Sequence, residues 1–263
     1  MSRLINSYRF GVAYDTDAQA FFTATGITDT TIKNATNQLV LDLKAISAGD
    51  VWTNKFKAIY PLVGGDATKH SYNLRNTATF QITWNGTVTH DSNGITGNGS
   101  TGYGDTGYIP STNGALDDEH FSIYSRTNTP ISGYSIGVIN ASSQGTYIQP
   151  RRTVDTFRTI SQGATADSIA STSSLGYFSV NRTASTGYRK RQNATNTDVT
   201  VASVALAGVS VALCALNANG SVVSFSNRNY AYFAIGRGLT ESEDGSVRTA
   251  VETFQDALAR GVV

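Results

Sequence analysis

The stretch Tyr230 to Arg260 constrains this chain more than any other, because it reads as a core strand running straight into a well-marked helix. Tyr230, Tyr232 and Ala234 alternate with Ala231, Phe233 and Ile235, so bulky or apolar side chains leave the backbone on both sides, which predicts a strand covered on both faces. Gly236 and Gly238 end it. Thr240 with Glu243 then has the form of a capping box, and the acids of the first turn suit the helix dipole. Val247, Val251, Phe254 and Leu258 follow at helical spacing with Ala250 and Ala257 beside them, an apolar stripe that must lie on something. The neighbouring sheet is the expected partner.

Residues 1 to about 50 read as helical. Asp15 or Thr16 can cap a short helix over Ala18 to Ala24 closed by Gly26. Thr28 or Asp29 can cap a longer one with Ile32, Leu39, Leu43 and Ile46 on one face and Gly49 past its end. From Val51 the signal changes to short strands and turns. A strand over 56–63 is stopped by Gly64-Gly65, and 79–84 and 87–90 flank Asn85-Gly86, a hairpin signal. Further strands are expected at 120–126, 134–139, 145–149, 157–160, 175–182, 187–192, 199–206, 209–216, 221–225 and 229–235. Many short strands without intervening helices favour an antiparallel sandwich over a parallel sheet. Between them, Asp91 to Asp118 reads as one long irregular loop, and such a loop is either a contact surface or a structurally pinned segment. Its candidate contact groups are Tyr103, Asp105 and Tyr108, unless the tyrosines simply pin it to the sheet.

Two blocks carry a family resemblance. One is the strand followed by Ile235-Gly236-Arg237-Gly238-Leu239-Thr240 and the acid-rich helix. The other is Trp52 through Gly65 with His70, Asn73-Leu74 and Asn98-Gly99 to Tyr103 after it. Together they resemble the concanavalin A-like, laminin-G-type domains, and in particular those of tailed-bacteriophage virion proteins. The resemblance implies a mainly β fold: a concanavalin A-like antiparallel β-sandwich (jelly roll) over 51–263, with an N-terminal helical appendage at 1–50 and a C-terminal helix at 240–260. It also implies a non-enzymatic structural or adhesive virion component, a fibre, tail tip or capsid decoration, that forms homo-oligomers and meets other virion proteins or a host cell-surface glycan. The fold hosts lectins and hydrolases too, so a polysaccharide-active enzyme or a soluble carbohydrate-binding lectin stays open as the rival reading.

Charge narrows the partners. Charged residues make up only 15% and the net charge is +1, giving no general pull towards nucleic acid or lipid. Cys214 is the only cysteine, so no intramolecular disulfide can form, which fits folding in a reducing cytoplasm. Met1 to Ser7 holds no apolar run of secretion-signal length, so release by lysis is the expectation. Val199 to Leu216 is uncharged and close to membrane-spanning length, but its valines and Gly208 predict two packed strands and no membrane insertion.

Several motifs resemble chemistry. Gly97 to Gly102 matches G-x-G-x-x-G, yet no helix follows to receive a phosphate. Gly133 to Gly137 matches G-x-S-x-G around Ser135, but the histidines, His70, His90 and His120, all precede it. None of them has a second ligand two or four residues on, which speaks against zinc. Asp105 and Asp117-Asp118-Glu119 offer oxygens to calcium, though neighbouring acids on a strand point to opposite faces. No paired-carboxylate run of the sandwich hydrolases occurs, so no catalytic residue, cofactor or metal site is assigned. Finally, residues 151 to 191 carry seven basic residues, Arg151, Arg152, Arg158, Arg182, Arg189, Lys190 and Arg191, against Asp155 and Asp167, a surplus of five. Arg151, Arg152, Arg189 and Arg191 are taken as a candidate contact surface for an acidic partner, or else as basic chains covering exposed sheet edges.

Overall fold

The computed structural model describes residues 13–263, so the Met1 to Ser7 stretch read for a secretion signal lies outside the described residues. The described residues open with α1 (Thr16–Thr25) and α2 (Thr30–Ala45), capped by the side chains of Asp15 and Asp29. Gly26 closes α1 at φ 66°. After a short π-turn come β1 (Phe56–Tyr60), α3 (Ala67–Ser71), β2 (Thr83–Asn85), β3 (Val88–Asp91), β4 (Gly94–Gly97), β5 (Tyr103–Asp105) and α4 (Pro110–Asn113). Next are β6 (Glu119–Ser125), β7 (Ile136–Ile139), β8 (Gly145–Gln149), β9 (Thr156–Gly163), β10 (Asp167–Ala170), β11 (Gly176–Ala184), β12 (Gly187–Gln192) and β13 (Thr195–Val199). The chain finishes with β14 (Ala212–Leu213), β15 (Leu216–Ala218), β16 (Ser221–Val223), β17 (Asn229–Gly236) and α5 (Glu241–Ala257).

These strands make two sheets, and the protein is the expected mainly β sandwich with helices in its N- and C-terminal regions. The first sheet has the order β13-β12-β11-β6-β17-β4-β3, with β1 sharing one edge of β17 with β4. The second runs β10-β9-β8-β7-β14-β5-β2, with β15 and β16 beside β7. Pairing is antiparallel except between β15 and β7.

Three layers result, because the first sheet is buried on both faces. Phe121 and Ile123 of β6, Phe178 and Val180 of β11, and Phe233 and Ile235 of β17 pack against Val138, Ile148 and Phe157 of the second sheet. Their neighbours Tyr124, Tyr177, Tyr232 and Ala234 turn the other way, into a second core with Val247, Val251 and Phe254 of α5 and Phe21, Leu39 and Leu43 of α1 and α2. A slip in register between Tyr230 and Tyr232 puts Tyr230 on the intersheet side with Phe233.

The helix layer is fixed by a polar knot as well as by apolar area. Asp244 in the first turn of α5 is wholly buried and pairs with Arg191 of β12. Its Oδ1 accepts from Tyr177 at 3.0 Å and from Ser179 at 2.9 Å, and Arg191 Nη2 donates to the Glu241 carbonyl at 3.2 Å. The capping box forms as expected: Glu243 N donates to the Thr240 hydroxyl, and Thr240 N donates to the Glu243 carboxylate at 2.8 Å. That carboxylate also meets Lys55 at 2.6 Å and Ser47 at 2.8 Å, which holds its pKa down at about 2 against the cost of burial.

Three expectations need correction. Asn85-Gly86 does not make a hairpin: β2 joins the second sheet and β3 the first, so the turn is a crossing between layers. Asp91 to Asp118 is not one irregular loop, since it contains β4, β5 and α4. Their glycines disguise them, because a Cβ at Gly97 would stand 2.2 Å from the Ser226 carbonyl and one at Gly104 2.7 Å from Ile82. No strand occupies 200–206. The pairing falls earlier, on β13, and the apolar run continues as a strap held by isolated bonds, Ser203 N to Ser185 O and Val204 N to Gln162 O. Among the described residues no helix is long and apolar enough to cross a membrane.

Removing one member of a buried ion pair strands the other in a low-dielectric site, whereas losing a cap exposes one amide. Asp244→Ala is therefore expected to lower unfolding free energy by about 3–5 kcal/mol, and Thr240→Ala by about 1 kcal/mol. Urea denaturation of the two variants checks that ranking.

Candidate binding groove

Three connections meet at one end of the sandwich: residues 98–102 after β4, 127–135 between β6 and β7, and 224–228 before β17. Each is shaped by a specific device. Asn98 Oδ1 accepts from the backbone N–H groups of Ser100, Thr101 and Gly102 at 2.8–3.0 Å and so curls the first loop around itself. These are the amides of the G-x-G-x-x-G match, and with Asn98 holding them and β5 following, the motif builds a turn and no phosphate cradle. The second loop lies against the third at Gly133, where a Cβ would stand 2.3 Å from the Phe225 carbonyl; Tyr134 N donates to Ser224 O at 2.9 Å.

Beneath the loops sits Arg228, wholly buried. Its Nε and Nη2 donate to the Thr129 carbonyl at 3.2 and 2.7 Å, and Nη2 also reaches the Arg151 carbonyl. A guanidinium here binds 127–133 and 150–155 to the start of β17 through backbone acceptors alone, with no carboxylate among its partners.

Between these walls lies an open groove of about 440 Å³. Ser100, Ser132, Ser224 and Asn227 stand exposed along it, Phe225 is half-buried, and Gly99, Gly133 and Ile131 complete the lining. The Tyr103 ring lies 6.2 Å from that of Phe225, centroid to centroid. No lining side chain is ionised, so the groove offers hydroxyls, an amide and aromatic edges.

The sequence-derived contact residues fall into separate places. Tyr103 and Arg151 belong to the groove end: Tyr103 lies beside Phe225, and the Arg151 carbonyl accepts from Ile131 N at 3.2 Å while its guanidinium meets Asp155 at 2.7 Å and Asn128 at 3.0 Å. Arg152 is half-buried nearby, its N–H bonded to Thr156 O. Asp105 ties its own loop by accepting from Gly107 N at 2.9 Å. Tyr108 is a correction: it is 2% exposed and stacks edge-on against Phe80 inside the core. Arg191 is another, sealed under α5 with Asp244. Arg189 faces a different groove at the β12–β13 edge, paired with Asp198 at 2.9 Å. Three of the seven basic residues of 151–191 are thus internal: Arg191, Lys190, which pairs with Asp167, and the wholly buried Arg182, which donates to the carbonyls of Ser161, Ala184, Gly187 and Val201. Phe225, Ser132 and Asn227 were not anticipated, since each is a lone polar or aromatic residue in a turn-rich stretch.

The remaining motifs are structural. Ser135 is buried just ahead of β7 and accepts from the Tyr230 hydroxyl at 2.7 Å. His120 forms a chain with Asn181 Oδ1 (2.7 Å) and Ser122 Oγ (2.8 Å), all three closed off beneath α5. Asp117, Asp118 and Glu119 diverge: the first meets Ser203, the second Arg237 and Gly238 N, and the third enters the sandwich. Burial raises the Glu119 pKa to about 7, in spite of Thr146, Ser161 and Arg182. The void beside it is too small for a water molecule, so this carboxyl is shut off from solvent. Among the described residues no three His, Cys, Asp or Glu side chains gather closely enough to hold a metal ion.

No protein-family profile matches the chain, and no curated protein matches it. Solved structures do. A mutant of Trypanosoma rangeli sialidase displaying trans-sialidase activity shares the fold with TM-score 0.54 and 11% identity, over 89% of this chain and 39% of that one. A mutant of HCR/D aligns with TM-score 0.51 and 10% identity, over 74% of this chain and 52% of that one. This chain therefore spans about half or less of those structures, and at such identity the likeness is one of fold: a two-sheet β-sandwich.

Glu119 gives a testable pH dependence. Its folded pKa of about 7 lies above its ordinary 4.5, so its contribution to stability is complete below about pH 4.5 and is lost as pH rises through about 7. Glu119→Gln should be more stable than the parent at pH 8, with the difference shrinking or reversing at pH 5, as read by urea denaturation at both. Gly133→Ala should cost about 1–3 kcal/mol by forcing two backbone segments apart, visible as a lowered melting temperature.

Proposed function

We propose that this protein is a non-enzymatic recognition module that holds an uncharged glycan in the groove between the Asn98, Ser132 and Phe225 loops. The observation that carries this reading is the lining itself: exposed hydroxyls and an amide beside aromatic rings, with no ionised side chain. Sugars present hydroxyls and weakly apolar ring faces, so they are held by hydrogen bonds together with aromatic contact. A charged ligand would find no counter-ion there. The same lining offers no general acid or base, which favours retention over turnover.

The setting we propose is a virion component of a tailed bacteriophage, a fibre, tail tip or capsid decoration, present in several copies and displaying the groove towards a host-surface glycan. This part rests on the sequence resemblance of the Trp52–Gly65 and Ile235–Thr240 blocks. A polysaccharide-active enzyme is the rival, and one experiment separates the two. The purified protein is incubated with an array of neutral and acidic glycans, scoring both retention and released oligosaccharide. Retention of neutral glycans without release is expected, weakened about tenfold or more, equivalent to about 1.4 kcal/mol, in Phe225→Ala. Release that disappears on replacing a single acid would overturn the proposal, as would retention indifferent to Phe225.

A further inference from the structure

His70 of α3 and His90 of β3 meet nitrogen to nitrogen, Nδ1 to Nδ1 at 3.1 Å. Their ring centroids are 5.3 Å apart, the arrangement of two imidazoles lying end to end about one shared proton. The tautomers follow from the partners. His70 Nε2 accepts from Gly65 N at 3.3 Å, so that nitrogen is bare and the His70 proton sits on Nδ1. It donates to His90 Nδ1, which must therefore be bare as well, leaving the His90 proton on Nε2. Each ring is neutral, and a proton added at His90 Nδ1 would set two donors against each other.

The surroundings oppose that proton. His70 is 1% exposed, and burial, His90 and the nearby Arg260 and Lys69 hold its pKa down at about 3, against the pull of Asp66. His90 is half-buried with Trp84 edge-on at 4.7 Å, and burial lowers its pKa despite Asp66 and Asp91. Both folded values lie below the ordinary 6.5, so the pair's contribution is complete above about pH 6.5 and is lost as pH falls through the folded values.

The clasp connects to the groove. β3 is an edge strand, laddered only to β4. Its approach packs against the first groove wall, where Gly86 lies against the Thr101 carbonyl and Gly102 against the Thr87 carbonyl so closely that neither position has room for a Cβ. We propose that the His70–His90 pair is a proton-operated clasp. Protonating His90 breaks the hydrogen bond from α3 to β3, loosens the β3 edge and displaces the 98–102 wall, so that the groove releases its ligand in acid. The link to release rests on the glycan-binding reading above; the clasp itself does not.

Hydrogen–deuterium exchange, corrected for intrinsic pH dependence, tests the clasp without any ligand. On going from about pH 7 to about pH 4, residues 86–102 should lose protection at least tenfold. His90→Asn keeps an acceptor near the Nδ1 position and cannot titrate, so it should keep that protection at both pH values. Equal losses in parent and variant, or no loss in the parent, would overturn the clasp. A neutral-glycan binding series over the same range reads the second step. With the clasp upheld and binding present, acid release that is absent in His90→Asn supports the coupling, and pH-independent binding overturns it. Absence of glycan binding at every pH would count against the groove reading and leave the exchange result standing.

Discussion

The contact on which the rest of the architecture depends is the buried meeting of Asp244 with Arg191, Tyr177 and Ser179. Burying a carboxylate is costly unless every oxygen finds a donor, and here three strand side chains converge on one acid in the first turn of α5. That convergence gives direction where apolar contact alone would not. The stripe of Val247, Val251 and Phe254 could slide along the sheet at little cost in buried area, but Asp244 has one seat. With the helix fixed, α1 and α2 have a surface to close against, the outer side of the first sheet is covered, and its tyrosines can face away from the intersheet core.

A chain with one buried cysteine needs other ways to tie distant segments, and arginine provides them. Arg182, Arg228 and Arg260 are each buried and each gathers backbone carbonyls: Arg182 the strap at Val201 and the β11–β12 turn, Arg228 the loops at Thr129 and Arg151, and Arg260 the carbonyls of Leu62, Pro61 and Ala231. A planar fork with several donors can satisfy acceptors from separate segments at once, which a lysine cannot do with the same geometry. The positive stretch at 151–191 is explained in the same way, because its charges mostly face inward or meet a specific acid.

What could be read from the sequence follows from locality. The Thr240–Glu243 box, the Asp15 and Asp29 caps, the Gly26 stop and the dense apolar run at 230–235 are each specified by neighbours within a few residues, and each appears as expected. Most strand positions from 119 to 192 were also legible from their β-branched and aromatic residues, but β10 was not, since Asp167-Ser168-Ile169-Ala170 has one apolar β-former among small and polar residues. Glycine hid β4 and β5, since the residue that permits close approach of a neighbouring chain also reads as loop. The apolar strap was misread for the opposite reason: its valines have strand character, but the two sheets leave it no continuous ladder. The groove was only half visible, through Tyr103 and Arg151, because Phe225, Ser132 and Asn227 are brought together from parts of the chain with no local signal in common.

That distance has a consequence for how the molecule is made. Arg228 holds the Thr129 carbonyl across 99 positions of chain and the Arg151 carbonyl across 77. Such long-range closures come late and slow the search for the native state. During synthesis the front half of the sandwich must wait, with its 127–133 segment untied from 150–155, until the ribosome has released residue 228 and the strand that follows it. The recognition end is thus fixed among the last events of folding, and a polypeptide interrupted before residue 228 would carry every lining residue of the groove but neither the arginine that ties its loops nor β17, on which β1 and β4 pair.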